Sequence, residues 1–215
     1  MITFHELGHL FIASLIGYKE ASVVIYPFGG ITKYNGYLNS PIASELLILL
    51  GGPLFQEILY IILLVLYKNG LISDINFNII EYVHKNLLMF NLLPIIPLDG
   101  SKFILLILEK IFPYKLSNIL IITISFITII LYSVFEKRIV FILLSCLLIK
   151  SIIEEFNLIN IKYNKFLLER YLYDFKLKKD KLIKRIESIK RGKRHDILYD
   201  NKILNEKEYL SKYFR

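Results

Sequence analysis

The 215-residue sequence has no tryptophan, a single cysteine and only 6 prolines. The lone Cys146 excludes an intrachain disulfide, and its apolar neighbours predict a small buried residue. Charge is missing from long stretches, and residues 117–135 contain none. With 55% hydrophobic residues and a mean hydropathy of +0.52, the composition excludes an ordinary soluble domain. The chain is therefore predicted to be an integral membrane protein.

The apolar runs predict an all-α polytopic membrane protein. A helix that crosses the bilayer needs about 20 predominantly apolar residues. On this basis, membrane segments are predicted at residues 1–17, 44–67, 84–112, 117–135 and 138–153. The first is too short to cross a hydrocarbon core of about 30 Å, so we expect the core to require a further helix upstream.

The charged residues divide the chain into a membrane core, residues 1–155, and a tail, residues 156–215. The tail carries 17 basic and 8 acidic residues, whereas the core carries 10 basic and 11 acidic residues. Because basic segments tend to stay in the cytoplasm, the prediction is a multi-pass protein of the cell membrane with a cytoplasmic tail.

The tail sequence predicts a short α/β piece rather than disorder. We expect a helix over residues 180–190, a strand over 196–199 and a turn at residues 200–201. A last helix is expected to start after Asn205, which forms a capping-box pattern with Glu208. The basic cluster at residues 190–194 is interpreted as a solvated face, with anionic lipid, a nucleotide or an acidic partner as alternatives.

A small β hairpin is predicted beside the membrane, after the first helix. Residues 21–26 are rich in β-branched side chains, and residues 31–37 form a second strand-like stretch. One edge of such a hairpin could pair with an extended substrate, which makes Gly29, Gly30 and Thr32 candidate substrate contacts. A plain connecting hairpin is the alternative.

The chemistry of the chain centres on the pentad His5-Glu6-Leu7-Gly8-His9. On a helix this spacing places both imidazoles on one face, where they can share a zinc ion, with Glu6 beside them as a general base. The alternative is a pair of hydrogen-bonded helix histidines. Other polar residues of the apolar segments carry weaker signals: Gln56 and Glu57 indicate either a cavity or a helix end, and His84 and His195 are expected to be exposed.

A carboxylate that could complete the zinc site lies in an interrupted apolar segment. Pro94, Pro97 and Gly100 break the run around Asp99, and irregular backbone at membrane depth survives only where it lines a cavity or is buried in protein. An unpaired intramembrane carboxylate is costly, and a metal held by His5 and His9 would compensate it. The alternative role of Asp99 is an N-cap for the following helix.

These motifs together resemble the site-2 protease family of intramembrane metalloproteases, and within it the compact sporulation branch. The resemblance covers about residues 5–153. It is carried by the pentad, by Pro27-Phe28-Gly29-Gly30, by Gly51-Gly52-Pro53, and by Asn91, Pro94, Pro97, Leu98, Asp99 and Gly100. It implies a six-helix core, one Zn²⁺ held by His5, His9 and Asp99, Glu6 as the general base, and Asn91 near the catalytic centre.

The resemblance implies hydrolysis of a peptide bond in a membrane-associated protein, such as a pro-sigma factor in sporulation. Expected partners are this substrate, the lipid bilayer and an inhibitory membrane protein, and no nucleic acid is expected. The tail resembles a reduced nucleotide-sensing CBS domain, and its shortness argues against ATP binding. The main alternative is a proteolytically silent membrane regulator that keeps the metal site. A metal transporter ranks below it, because Glu57 is the single further candidate for an ion path.

Overall fold

The computed structural model describes residues 1–26, 29–135, 139–200 and 202–214, and it describes side chains outside 19–35 and 135–141. Most described residues are helical. The helices are α1 Ile2–Ile16, α2 Ile42–Lys68, α3 Asp74–Asn91, α4 Asp99–Ile111, α5 Tyr114–Phe135, α6 Ile139–Leu172 and α7 Glu206–Tyr213. The strands are β1 Lys19–Tyr26, β2 Gly29–Asn35, β3 Lys178–Lys179, β4 Lys193–Arg194, β5 Asp196–Tyr199 and β6 Lys202–Asn205.

The chain folds as two compact units. The first unit comprises Met1–Gly36, Ala43–Leu93 and Leu98–Gly100. The second comprises Tyr37–Ile42, Pro94–Pro97 and Ser101–Arg215. The tail boundary predicted at residue 155 lies inside α6, which continues without a break to Leu172.

Two described helices are long and apolar enough to cross a membrane. They are α2 over Ile42–Lys68 and the part of α5 over Tyr114–Val134. The apolar α1 is shorter. One face of α2 exposes large apolar side chains that suit contact with lipid, namely Leu47, Leu50, Leu54, Ile58, Ile61, Ile62 and Val65. Cys146 is exposed, so the expectation that it is buried was wrong.

The third apolar segment contains two helices separated by an irregular stretch. Helix α3 begins at Asp74, ten residues before the predicted start of this segment, where Ser73 caps its first turn. After Asn91 the chain leaves the helix, and α4 begins at Asp99. The break therefore lies where the prolines predicted it. The Ile96-Pro97 peptide bond within it is cis.

The predicted hairpin is present in the first unit. Strands β1 and β2 pair antiparallel, with Val23 opposite Thr32 and Ile25 opposite Gly30. Both strands contact α1, the helix that carries the pentad. Pro27 and Phe28 of the quoted motif lie outside the described residues.

The tail folds against other parts of the second unit. Its apolar core joins Ile189, Ile197 and Leu210 to Tyr114 of α5 and to residues of α6, namely Tyr163, Phe166 and Leu167. The predicted strand is β5, and the predicted capping box of Asn205 and Glu208 is confirmed, with both hydrogen bonds formed.

The predicted helix over residues 180–190 was wrong. The Asp180 N–H donates to the Arg194 carbonyl and the Ile183 N–H to the Asp196 carbonyl, so pairing with distant chain replaces local helical bonds. Only a single 3₁₀ turn, Ile186–Ser188, forms in this segment. Of the turn predicted at 200–201, Asp200 has a positive φ of 47°, and Asn201 lies outside the described residues.

A buried arginine links α6 to the tail and to the segment before α2. The Arg170 guanidinium donates to Glu206 Oε1 at 2.6 Å, to Asn39 Oδ1 at 2.7 Å, and to the carbonyls of Lys190 and Lys193. Burial lowers the pKa of Arg170, and the Glu206 carboxylate opposes that shift. Since both side chains of this ion pair are almost fully buried, each charge depends on the other.

Two side chains of the tail are buried against expectation. In the basic cluster, Arg191 donates to Glu109 Oε2 at 2.6 Å and to the Ser40 carbonyl at 2.7 Å, so the interpretation of a solvated face was wrong for this residue. His195 is 2% exposed, which corrects the prediction of an exposed histidine. Its Nε2 accepts a hydrogen bond from the Lys190 backbone.

We predict that Arg170→Met destabilises the tail by about 3–5 kcal/mol, because it leaves the Glu206 carboxylate buried without a counter-charge. Limited proteolysis of the purified chain, followed at residues 176–214, measures this as faster cleavage. Lys207→Ala is the matched control. It removes an exposed ion pair with Asp174, which at such sites contributes at most about 1 kcal/mol. Equal protection of both variants would contradict the role of Arg170.

Candidate metal centre

The site begins with a close approach of α1 to α2. Gly8 and Gly51 face each other, and a Cβ placed on Gly8 would lie 2.1 Å from the Gly51 carbonyl oxygen. Only glycine at both positions allows the two backbones to come this near, as small residues do between membrane helices. The approach places the pentad face of α1 directly against the middle of α2.

Three predicted ligands converge at this contact. His5 Nε2 lies 2.9 Å from Asp99 Oδ2, and His9 Nε2 lies 3.0 Å from the same oxygen. The candidate ligand atoms of His5, His9 and Asp99 all lie within 4.8 Å of one another. Both histidines are buried, and the Asp99 side chain is 16% exposed.

A tight backbone turn places Asp99 within reach of the histidines. The next residue, Gly100, is so close to the end of α3 that an added Cβ would lie 2.2 Å from the Leu92 carbonyl oxygen. Asp99 is itself the first residue of α4. Asp99 therefore lies inside the first turn and not before it, where the capping alternative places it, and its carboxylate faces the two imidazoles.

The hydrogen bonds behind the imidazoles leave their Nε2 atoms suited to metal binding. His9 Nδ1 lies 2.8 Å from the Ile48 carbonyl oxygen, which can only accept. A neutral His9 must therefore carry its proton on Nδ1 and a lone pair on Nε2. His5 Nδ1 lies 2.9 Å from Gln56 Oε1. Metal-binding histidines commonly have such partners on the far nitrogen, which orient the ring.

These residues fit a zinc ion. Two imidazole nitrogens and a carboxylate oxygen form a usual donor set for catalytic zinc, which keeps a further position open for water or substrate. Gly52 lines the same space, because a Cβ there would lie 2.4 Å from His9 Nε2 and 2.7 Å from His5 Nε2. A cation among these three atoms would be attracted by the Asp99 carboxylate and by the lone pair that a neutral imidazole presents on Nε2.

The remaining predicted site residues lie at different distances from this centre. Glu6 follows His5 in α1 and is 6% exposed. Asn91, the last residue of α3, has its Nδ2 3.3 Å from His5 Nε2. Pro97 belongs to the break before Asp99. Gly29, Gly30 and Thr32 lie in β2, whose backbone contacts α1.

Two further polar residues contact this centre directly or through one partner, and the sequence assigned neither to it, since Gln56 was interpreted only as a sign of a cavity or a helix end. Gln56 is fully buried and touches His5, and His84 is 5% exposed and touches Gln56, which corrects the prediction that His84 is exposed. A sequence signal existed for Gln56, since it lies four residues after Gly52 and hence on the same helix face. No spacing pattern marked His84, which reaches the network from α3.

Comparisons with known proteins agree with this arrangement. The family model of peptidase family M50 matches residues 1–85. Stage IV sporulation protein FB of Bacillus subtilis is 27% identical over 234 residues, which cover 100% of this chain and 81% of that protein. A zinc metalloprotease of Methanocaldococcus jannaschii is 32% identical over 123 residues, which cover 54% of this chain and 34% of that protein.

A solved structure is also similar to this chain. The site-2 protease from Methanocaldococcus jannaschii matches with a TM-score of 0.58 and 28% identity, and the match covers 72% of this chain and 73% of that one. Together the comparisons define a membrane metallopeptidase of the site-2 protease type with an all-α polytopic core. Within that class, the chain is similar to peptidase family M50 over residues 1–85 and to stage IV sporulation protein FB along its whole length.

We predict that Gly52→Ala lowers the zinc content of the purified protein at least about tenfold, because the new methyl group would displace both imidazoles from the shared centre. Metal analysis after purification measures this. Leu54→Ala, on the exposed face of the same helix, is the control and should keep the parental zinc content. Full zinc occupancy in Gly52→Ala would show that the metal binds elsewhere.

Proposed function

We propose that this chain is an intramembrane zinc endopeptidase in which His5, His9 and Asp99 hold one zinc ion and Glu6 is the general base. The observation that supports this most strongly is the convergence of the three ligand atoms within 4.8 Å. All three, and Glu6, belong to the same compact unit of the fold.

The positions of the protein groups support the roles proposed for them. When bound, zinc supplies Lewis acidity that polarises a peptide carbonyl and lowers the pKa of water to about 7. Glu6 accepts the proton of the attacking water and returns it to the leaving amine. Asn91 lies close enough to the ligand nitrogen of His5 to donate to a substrate carbonyl. Water would reach the site where the helical bonds are interrupted, after Asn91 and before Asp99.

The substrate is a membrane-associated protein segment that binds in extended form. Strand β2 contacts α1, the helix of the pentad, and it pairs with β1 along one edge. Its other edge, which includes Gly29, Gly30 and Thr32, would accept the substrate backbone as a third strand. The resemblance to the sporulation branch implies a membrane-tethered sigma-factor precursor as the substrate, and the proposal adds an inhibitory membrane protein as a further partner.

The proposed topology places the tail in the cytoplasm of a multi-pass membrane protein. The excess of basic residues in 156–215 supports this orientation. It also places the tail, as a reduced CBS-like piece, on the side where a sigma factor acts. The membrane core of residues 1–155 carries the catalytic groups.

We predict that Glu6→Gln lowers cleavage of a co-expressed membrane-tethered sigma-factor precursor by at least about 100-fold, because it removes the general base. Immunoblotting for the released fragment measures the loss, and the zinc content of the variant should stay at the parental value.

Glu81→Gln is the matched control, since Glu81 forms an exposed pair with Lys85 on α3. This control should cleave as the parent does. Unchanged cleavage in Glu6→Gln would contradict the proposed base. A host phenotype that survives Glu6→Gln, with no cleavage by the parent, would favour the silent-regulator alternative.

A further inference from the structure

A chain of buried polar groups contacts His5 on the nitrogen that faces away from the candidate metal centre. We propose that Gln56 and His84 are positioning residues that fix the tautomer and orientation of His5, so that its Nε2 lone pair faces the zinc ion. The inference rests on the proposed function, since it concerns a ligand of the proposed zinc centre.

The orientation of the Gln56 amide is determined by a backbone carbonyl. Gln56 Nε2 lies 3.0 Å from the carbonyl oxygen of His84, and that oxygen can only accept a hydrogen bond. The amide nitrogen must therefore face His84, and the amide oxygen must face His5. Because Oε1 lies 2.9 Å from His5 Nδ1 and can only accept, a neutral His5 carries its proton on Nδ1.

The tautomer of His84 is also determined by its hydrogen-bond partners. Its Nδ1 lies 3.2 Å from Gln56 Nε2, which donates, so Nδ1 accepts and the proton of a neutral His84 is on Nε2. Nε2 in turn lies 3.3 Å from Glu57 Oε1, an acceptor for that proton. Each group thus donates to the next along one direction, from His5 to Gln56, from Gln56 to His84 and from His84 to Glu57.

Packing holds this chain of groups in place. Gln56 is fully buried and His84 is 5% exposed. The His84 ring stacks on Tyr60, with ring centroids 4.2 Å apart and an angle of 7° between the planes. If the Gln56 amide rotated, its N–H group would face the Nδ1–H group of His5, and its oxygen would face the carbonyl oxygen of His84. Water would compensate neither mismatch, because the site is buried.

The two histidine ligands differ in how their orientation is encoded. His9 Nδ1 is held by the backbone carbonyl of Ile48, and no substitution of a side chain removes that carbonyl. His5 depends on the side chain of Gln56, so substitution can test its orientation alone. Loss of such an outer partner commonly lowers metal affinity by about 10–100-fold.

The test is the zinc affinity of the detergent-solubilised full chain, measured by competition with a chromophoric chelator, for Gln56→Leu, His84→Ala and the double variant. We expect Gln56→Leu to weaken binding about 10–100-fold. His84→Ala should have a smaller effect, because the backbone carbonyl that orients Gln56 remains. Since His84 acts through Gln56, adding His84→Ala to Gln56→Leu should change the affinity less than about twofold.

The control is Asn118→Leu, which makes the same change from amide to leucine at a buried position of α5. The side chain of Asn118 donates to the Tyr114 carbonyl, in the other unit of the fold. The Asn118→Leu variant should bind zinc as the parent does. Parental affinity in Gln56→Leu, or full additivity of the two substitutions, would overturn the inference.

Two further readouts separate this inference from folding and from the proposed function. The absorption spectrum of the cobalt-substituted protein should change in Gln56→Leu and stay parental in Asn118→Leu. In the parent, ¹⁵N spectra of labelled histidine should show the His5 proton on Nδ1 and metal on Nε2. The opposite arrangement would overturn the inference even if Gln56→Leu failed to fold. Absence of zinc from the parent itself would instead refute the metal centre.

Discussion

The candidate metal centre depends on the contact between α1 and α2 at Gly8, Gly51 and Gly52. Two of these glycines let the backbones meet, and the third leaves space beside the imidazoles of His5 and His9. A methyl group at any of them would meet another atom at less than 3 Å. The helix geometry places His5 and His9 on the same face of α1. The contact with α2 determines which residues pack against that face.

The low polarity of the membrane interior explains why the site has such complete hydrogen bonding. An unsatisfied polar group costs more in such surroundings than in water. The far nitrogen of each histidine ligand accordingly has a partner, Gln56 for His5 and a backbone carbonyl for His9. The polar groups lie in one connected network that ends at Glu57, whose side chain is 44% exposed. The charges of the tail follow the same rule, since Arg170 and Arg191, the buried arginines in the described part of the tail, each face a buried glutamate.

The sequence predicted those features that local patterns determine. The pentad, the break around Asp99, the hairpin and the capping box of Asn205 each depend on spacing within a few residues, and the structure contains all four. Features that depend on distant contacts were missed. His84 meets Gln56 across 28 residues, and residues 178–183 pair with strands farther along instead of continuing as a helix. The roles of His5, Glu6, His9 and Asp99 in catalysis remain proposals that the geometry supports.

The metal centre is tested most directly by zinc X-ray absorption spectroscopy on the purified, zinc-loaded chain. We predict one zinc per chain with two imidazole nitrogens at roughly 2.0–2.1 Å, further light-atom neighbours and no sulfur. Sulfur at about 2.3 Å would indicate binding at the exposed Cys146, and fewer than two imidazoles would exclude shared ligation by His5 and His9. Either result would contradict the metal centre described above.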